Sequence, residues 1–135
     1  MANNTTTTSS RRVLIADDDP AILRLVKTIL EKENYDVVTA RDGREAYKIL
    51  QNDHNFMAGI FDVVMPHISG PALVRFMRTE KQLMRIPVMM MTAEQDPKLS
   101  SDSFSAGAVV FLPKPFTTAQ LHIMLQMLVG KGNTT

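Results

Sequence analysis

The stretch Val13-Leu14-Ile15-Ala16-Asp17-Asp18-Asp19-Pro20 decides how this chain folds. Four consecutive apolar residues read as a strand buried on both faces, as in a parallel sheet covered by helices. Asp19 followed by Pro20 is an N-cap with proline at the first helical position. Ile22, Leu25, Val26, Ile29 and Leu30 then recur at i, i+3, i+4, i+7 and i+8, which predicts one apolar helix face. Strand, acidic turn and helix therefore follow in direct succession.

The same unit recurs downstream. Asp36–Thr39 reads as a second strand, and Ala46, Ile49 and Leu50 mark a helix after Asp42-Gly43. Met57–Phe61 is a third buried strand, weakened by Gly59. Pro71–Met84 is expected as a helix with Leu73, Phe76 and Met77 inward. Pro87 opens a fourth strand, Val88–Met91, and Lys98–Ala106 is a poor, serine-rich helix. Val109–Leu112 is the fifth strand. Thr117 caps a last helix with Leu121, Met124, Leu125 and Leu128 on one face. Five β-α units imply an α/β doubly wound parallel sheet with helices on both faces and right-handed crossovers. In such sheets ligands bind beyond the carboxyl ends of the strands, near the switch in strand order.

The 135 residues suffice for one domain, expected over residues 12–129 between a disordered lead-in, 1–11, and a flexible tail, 130–135. A net charge of +1 predicts no polyanion partner, and Arg11 with Arg12 is too little for nucleic-acid binding. No apolar run approaches the ~20 residues needed to span a bilayer, so no membrane partner is expected. The absence of cysteine excludes disulfides, thiolate metal sites and a cysteine nucleophile, and is compatible with a cytoplasmic location. Met89, Met90 and Met91 read as adaptable core filler. His54, His67 and His122 are scattered and read as solvent-exposed rather than as ligands.

The polar residues at the strand ends carry the chemistry. Asp17 and Asp18 follow strand 1, Asp62 follows strand 3, Thr92 follows strand 4 and Lys114-Pro115 follows strand 5. Each alone has an ordinary explanation as a loop acid, turn residue, strand end or surface lysine, and Asp19 is accounted for as a cap. Parallel strands, however, bring them all to one edge. Clustered carboxylates repel one another and lose solvation on burial, which a hard divalent cation relieves. Mg²⁺ suits such oxygen ligands, whereas the lack of His or Cys argues against Zn²⁺ and Cu²⁺. A carboxylate can attack phosphorus to give an aspartyl phosphate, with lysine and a hydroxyl stabilising the transferred group.

Four segments carry a family resemblance: Val-Leu-Ile-Ala-Asp-Asp-Asp-Pro at 13–20, Phe-Asp-Val-Val-Met-Pro-His-Ile-Ser-Gly at 61–70, Val-Met-Met-Met-Thr-Ala at 88–93 and Gly-Ala-Val-Val-Phe-Leu-Pro-Lys-Pro-Phe at 107–116. In order and spacing, from about Arg12 to Val129, the chain resembles the receiver domains of bacterial two-component response regulators. The resemblance implies a flavodoxin-like sheet of order 2-1-3-4-5. It implies Asp62 as phosphoacceptor and Mg²⁺ held by Asp18, Asp62, the Val64 backbone carbonyl and Asp17, the last directly or through water. It also implies that Lys114 and Thr92 contact the phosphoryl group, that Lys114-Pro115 is cis, and that Thr92 with Phe111 forms a switch acting on the helix 4, strand 5, helix 5 surface. The implied partners are a sensor histidine kinase or histidine phosphotransfer protein and a downstream protein target or output domain.

Some features depart from the family pattern. Met57 and Ala58 stand where many relatives carry an acid, and Phe111 lacks a tyrosine hydroxyl to hold an outward state. Val64 and Glu94 occupy positions that influence hydrolysis of the phosphoaspartate; valine cannot orient a water, glutamate can. Met127 and Val129 hint at a homodimer or partner surface, with scattered surface apolars the equal alternative. A phosphatase with an aspartate nucleophile is the rival reading, although its nucleophile would be expected after strand 1. A flavin carrier would need a phosphate loop where this chain has three acids.

Overall fold

The computed structural model describes residues 11–93, 97–108 and 110–130, with the backbone only for 97–100. Residues 1–10 of the expected lead-in, Glu94, Val109 and residues 131–135 of the expected tail lie outside them. The elements are β1 (Arg12–Ala16), α1 (Pro20–Lys32), β2 (Asp36–Ala40), α2 (Gly43–Asn52), β3 (Ala58–Asp62), α3 (Gly70–Thr79), β4 (Val88–Thr92), α4 (Pro97–Ala106), β5 (Val110–Pro113) and α5 (Thr118–Gly130). All strand pairings are parallel, in the order β2-β1-β3-β4-β5. After β1 the chain goes outward to β2 and then returns past β1 to β3, so the switch in strand order lies between β1 and β3.

Two cores flank the sheet, and strand alternation feeds both. Val13, Ile15, Ile60, Met89 and Met91 pack with Leu23, Val26, Leu121 and Leu125 under α1 and α5. Leu14, Ala16, Phe61 and Met90 pack with Ala46, Leu50, Leu73 and Met77 under α2 and α3. The methionine triplet is thus core on both faces, as its apolar context implied. Asp19 caps α1 by accepting from the Ala21 amide at 2.9 Å, with Pro20 in the first turn. Asp42 caps α2 through the Glu45 amide, and Ser69 caps α3 through the Ala72 amide.

Three expectations need correction. On α1 the buried face runs through Leu23, Val26, Ile29 and Leu30, while Leu25 is 43% exposed, because the helix turns Leu23 rather than Leu25 towards the sheet. Helix α3 stops at Thr79 instead of Met84. Beyond it, Leu83 drops into the core from a turn whose carbonyls, at Met84 and Ile86, accept from the Arg78 guanidinium. Gly59 does not weaken β3: its missing side chain makes room for the Phe61 ring, whose edge would lie 2.7 Å from a Cβ there. Arg11 lies over the Tyr35 ring at 4.2 Å and donates to the Glu33 and Asn34 carbonyls, and Gly130 is the last residue of α5.

Candidate active site

The register of the sheet assembles the site. Ala16 pairs with Phe61 across β1 and β3, so Asp17 and Asp62 follow side by side. Asp62 pairs with Met91, and Thr92 pairs with Pro113, which leaves Lys114 one residue beyond the end of β5. The Lys114 amide donates to the Thr92 carbonyl at 2.8 Å, and the Lys114-Pro115 peptide is cis.

Three carboxylates converge: Asp17, Asp18 and Asp62 each place an oxygen within 4.8 Å of the others. Asp17 is fully buried and Asp62 is 6% exposed, while Asp18 faces solvent. Asp17 is fixed twice, by accepting from the Asp19 amide at 2.9 Å and from the Lys114 ammonium at 2.7 Å. The same ammonium stands 3.4 Å from Asp62. Burial, reinforced by the charges of Asp17 and Asp18 and opposed by Lys114, pushes the Asp62 carboxyl up to about 6. Burial disfavours the charge on Lys114, but its hydrogen bond to Asp17 and the field of Asp62 prevail and hold its pKa above the ordinary lysine value. Among the described residues Lys114 is the cation that pairs with this cluster, meeting Asp17 and Asp62, and all three acids offer oxygen ligands.

The remaining expected residues surround this centre. Thr92 is buried at the end of β4. Val64 lies two residues past Asp62 in the loop before α3, with its side chain 54% exposed. Phe111 is half-buried on β5, its ring 6.2 Å from that of Phe104 on α4. Of the histidines, His67 is exposed, His54 half-buried, and His122 lies 3.2 Å from Glu33; none joins the acidic cluster.

Gly70 escaped the sequence reading. A Cβ there would come within 2.5 Å of the Asp62 carbonyl oxygen and 2.9 Å of the Met90 sulfur, so only glycine lets α3 start against the end of β3. Its amide also donates to the Val63 carbonyl at 3.0 Å. The available signal was the Ser-Gly-Pro run at 69–71, a cap followed by a close approach and a first-turn proline.

Known proteins are similar to this chain. Transcriptional regulatory protein SrrA of Staphylococcus aureus is 29% identical over 114 residues, which are 84% of this chain and 46% of that protein, so the chain spans about half the length of the curated relatives it matches. Among solved structures, the chemotaxis protein CheY4 of Vibrio cholerae is similar with a TM-score of 0.81 and 35% identity, over 87% of this chain and 97% of that one. The receiver domain of sensor histidine kinase PA1611 from Pseudomonas aeruginosa, whose structure has a magnesium ion coordinated in the active site cleft, gives a TM-score of 0.81 and 25% identity over 90% and 98% of the two chains. The profile of the response regulator receiver domain matches residues 13–126. With the parallel sheet and the acids gathered at its switch point, that match makes the chain a member of the response regulator receiver domain family.

Proposed function

We propose that this domain is a phosphorylation-dependent switch that takes a phosphoryl group onto Asp62. The observation that carries this reading is the imbalance at the rim among the described residues: three convergent carboxylates, two of them buried, against the Lys114 ammonium. Asp17, Asp18, Asp62 and the Val64 carbonyl would hold Mg²⁺, which when bound neutralises charge on the acids and on the incoming group. Asp62 attacks phosphorus through a carboxylate oxygen, the bond to the donor's leaving group breaks, and an aspartyl phosphate remains. Lys114 stays charged beside Asp62 and pairs with a phosphoryl oxygen. Thr92 donates its hydroxyl to another. The shift of Thr92 frees space for Phe111 to turn inward, which remodels the surface of α4, β5 and α5. A sensor histidine kinase or histidine phosphotransfer protein is the proposed donor, and a downstream protein or output domain the proposed receiver of the change.

The reading is tested with a small phosphodonor and Mg²⁺, followed by intact mass. The expected result is the gain of one phosphoryl group by the wild type and none by Asp62→Asn. Uptake that persists in Asp62→Asn removes Asp62 as the acceptor.

A further inference from the structure

We propose that Arg44 on α2 is a positioning residue that latches the loop between β3 and α3, and so holds the Val64 backbone and Asp62 in the arrangement that binds Mg²⁺. This inference rests on the proposed function. Arg44 touches no acid of the site. Its Nη2 donates to Nδ1 of His67 at 2.9 Å, across 23 residues of sequence. A guanidinium has no lone pair, so Nδ1 must be the acceptor and the ring proton resides on Nε2.

Three further observations show that the contact secures a tense segment. His67 has φ 72°, the left-handed region that residues with a Cβ seldom adopt. The residue is exposed, the Ile68 amide donates to the Pro66 carbonyl at 2.8 Å across it, and Arg44 is the side chain that hydrogen-bonds its ring. The neighbouring Gly43 brings α2 against the loop backbone: a Cβ at Gly43 would fall onto the Ile68 carbonyl oxygen and within 2.8 Å of Ile68 Cβ. Meanwhile Gly70 anchors the far end of the loop to β3, through Val63 and the Asp62 carbonyl. Val64 lies between Asp62 and these two anchors. Met65 is buried in the core and Ile68 packs against it, so the loop is held on either side of His67, and the Arg44 contact adds a restraint at the residue with positive φ.

Electrostatics and latching predict opposite signs for the same substitution, which makes the idea testable. Arg44 lies on the rim that would receive a dication, so loss of its charge alone should tighten Mg²⁺ binding. Loss of a latch should weaken it. Mg²⁺ binding is measured by calorimetric titration of the whole chain, as wild type, Arg44→Ala, His67→Gly, His67→Asn, the Arg44→Ala/His67→Gly double variant and Lys48→Ala. The expected result is a rise in Kd of about threefold to tenfold for Arg44→Ala and for His67→Gly, with the double variant no worse than either. His67→Asn should stay near wild type, because asparagine tolerates the left-handed region and offers an amide oxygen to Arg44. Lys48→Ala, equal in charge change but without the loop contact, should not weaken binding. Amide hydrogen exchange across residues 64–69 should quicken in Arg44→Ala without metal. A Kd for Arg44→Ala that is unchanged or lower, or additive effects in the double variant, overturns the latch while the wild type still binds Mg²⁺ and takes up phosphate. A wild type that does neither overturns the proposed function and the latch together.

Discussion

The two ends of the sheet treat charge in opposite ways. At the amino-terminal edge, Arg12 meets Asp53 through two hydrogen bonds of 2.8 Å, donates a third to the Asn55 carbonyl, and lies 4.6 Å over the Phe56 ring. One cation faces one anion, and each holds the other in its charged form: the hydrogen bond from Arg12 lowers the Asp53 pKa and raises that of Arg12. At the carboxyl edge, Lys114 faces Asp17 and Asp62, with Asp18 close by, and Asp62 is forced the other way. The first arrangement is a closed pair that fastens β1 to the approach to β3. The second is left with excess negative charge, the signature of a place prepared for a ligand rather than for stability.

The largest expected effect removes the function of the carboxyl edge altogether: Asp62→Asn abolishes phosphoryl uptake, read by intact mass. Lys114→Ala comes next. It leaves the fully buried Asp17 without its cation, and should destabilise the metal-free domain by about 3 kcal/mol in denaturant titrations. Millimolar Mg²⁺ should restore part of that loss; an equal loss with and without Mg²⁺ would mean that no dication replaces the ammonium there.

The titration of Asp62 sharpens the contrast further. Its folded-state value of about 6 lies above the ordinary 3.8, so between these values the folded protein binds more protons than the unfolded chain. The stability tied to this group is therefore fully present below about pH 4 and is lost as pH rises to and past 6, by about 2–3 kcal/mol. In metal-free buffer Asp62→Asn should exceed the wild type in stability at pH 7.5, with the gap closing towards pH 4 and shrinking when Mg²⁺ is added. A gap that does not change with pH would assign the effect to packing. The smallest effect belongs to the amino-terminal edge. Arg12→Ala should cost about 1–2 kcal/mol, discounted for partial exposure, and that loss should not respond to Mg²⁺. A Mg²⁺-dependent loss there would erase the distinction between the two edges.

Much of this was legible in the chain because a buried parallel strand leaves a local mark. Val13–Ala16 and Val88–Met91 must be apolar on both faces, and Asp19-Pro20 must begin a helix, whatever surrounds them. The strand-end acids, Thr92 and Lys114 were legible for the same reason: each sits one or two residues past such a run. The misreadings came where local pattern and tertiary packing compete. Leu83 and Met84 continue the apolar rhythm of α3, but the chain uses them in a turn stapled by Arg78, whose third contact is the Gly107 carbonyl far along the sequence. Leu25 fits a helical stripe, yet the stripe that meets the sheet is rotated to Leu23, which only the docking of α1 could decide. Gly59 looked like a weakness until the ring that needs its space was visible.

By itself the sequence determined the alternation of strands and helices, the caps at Asp19 and Thr117, and which residue types end each strand. These depend on neighbours a few positions away, through periodicity and short-range hydrogen bonds. The folded structure alone decided that Lys114 serves Asp17 first and Asp62 second, that Gly70 lets α3 approach the Asp62 carbonyl, and that Arg44 reaches His67. Those are distances between segments far apart in the chain. They are set by sheet register and helix docking, which no local pattern encodes.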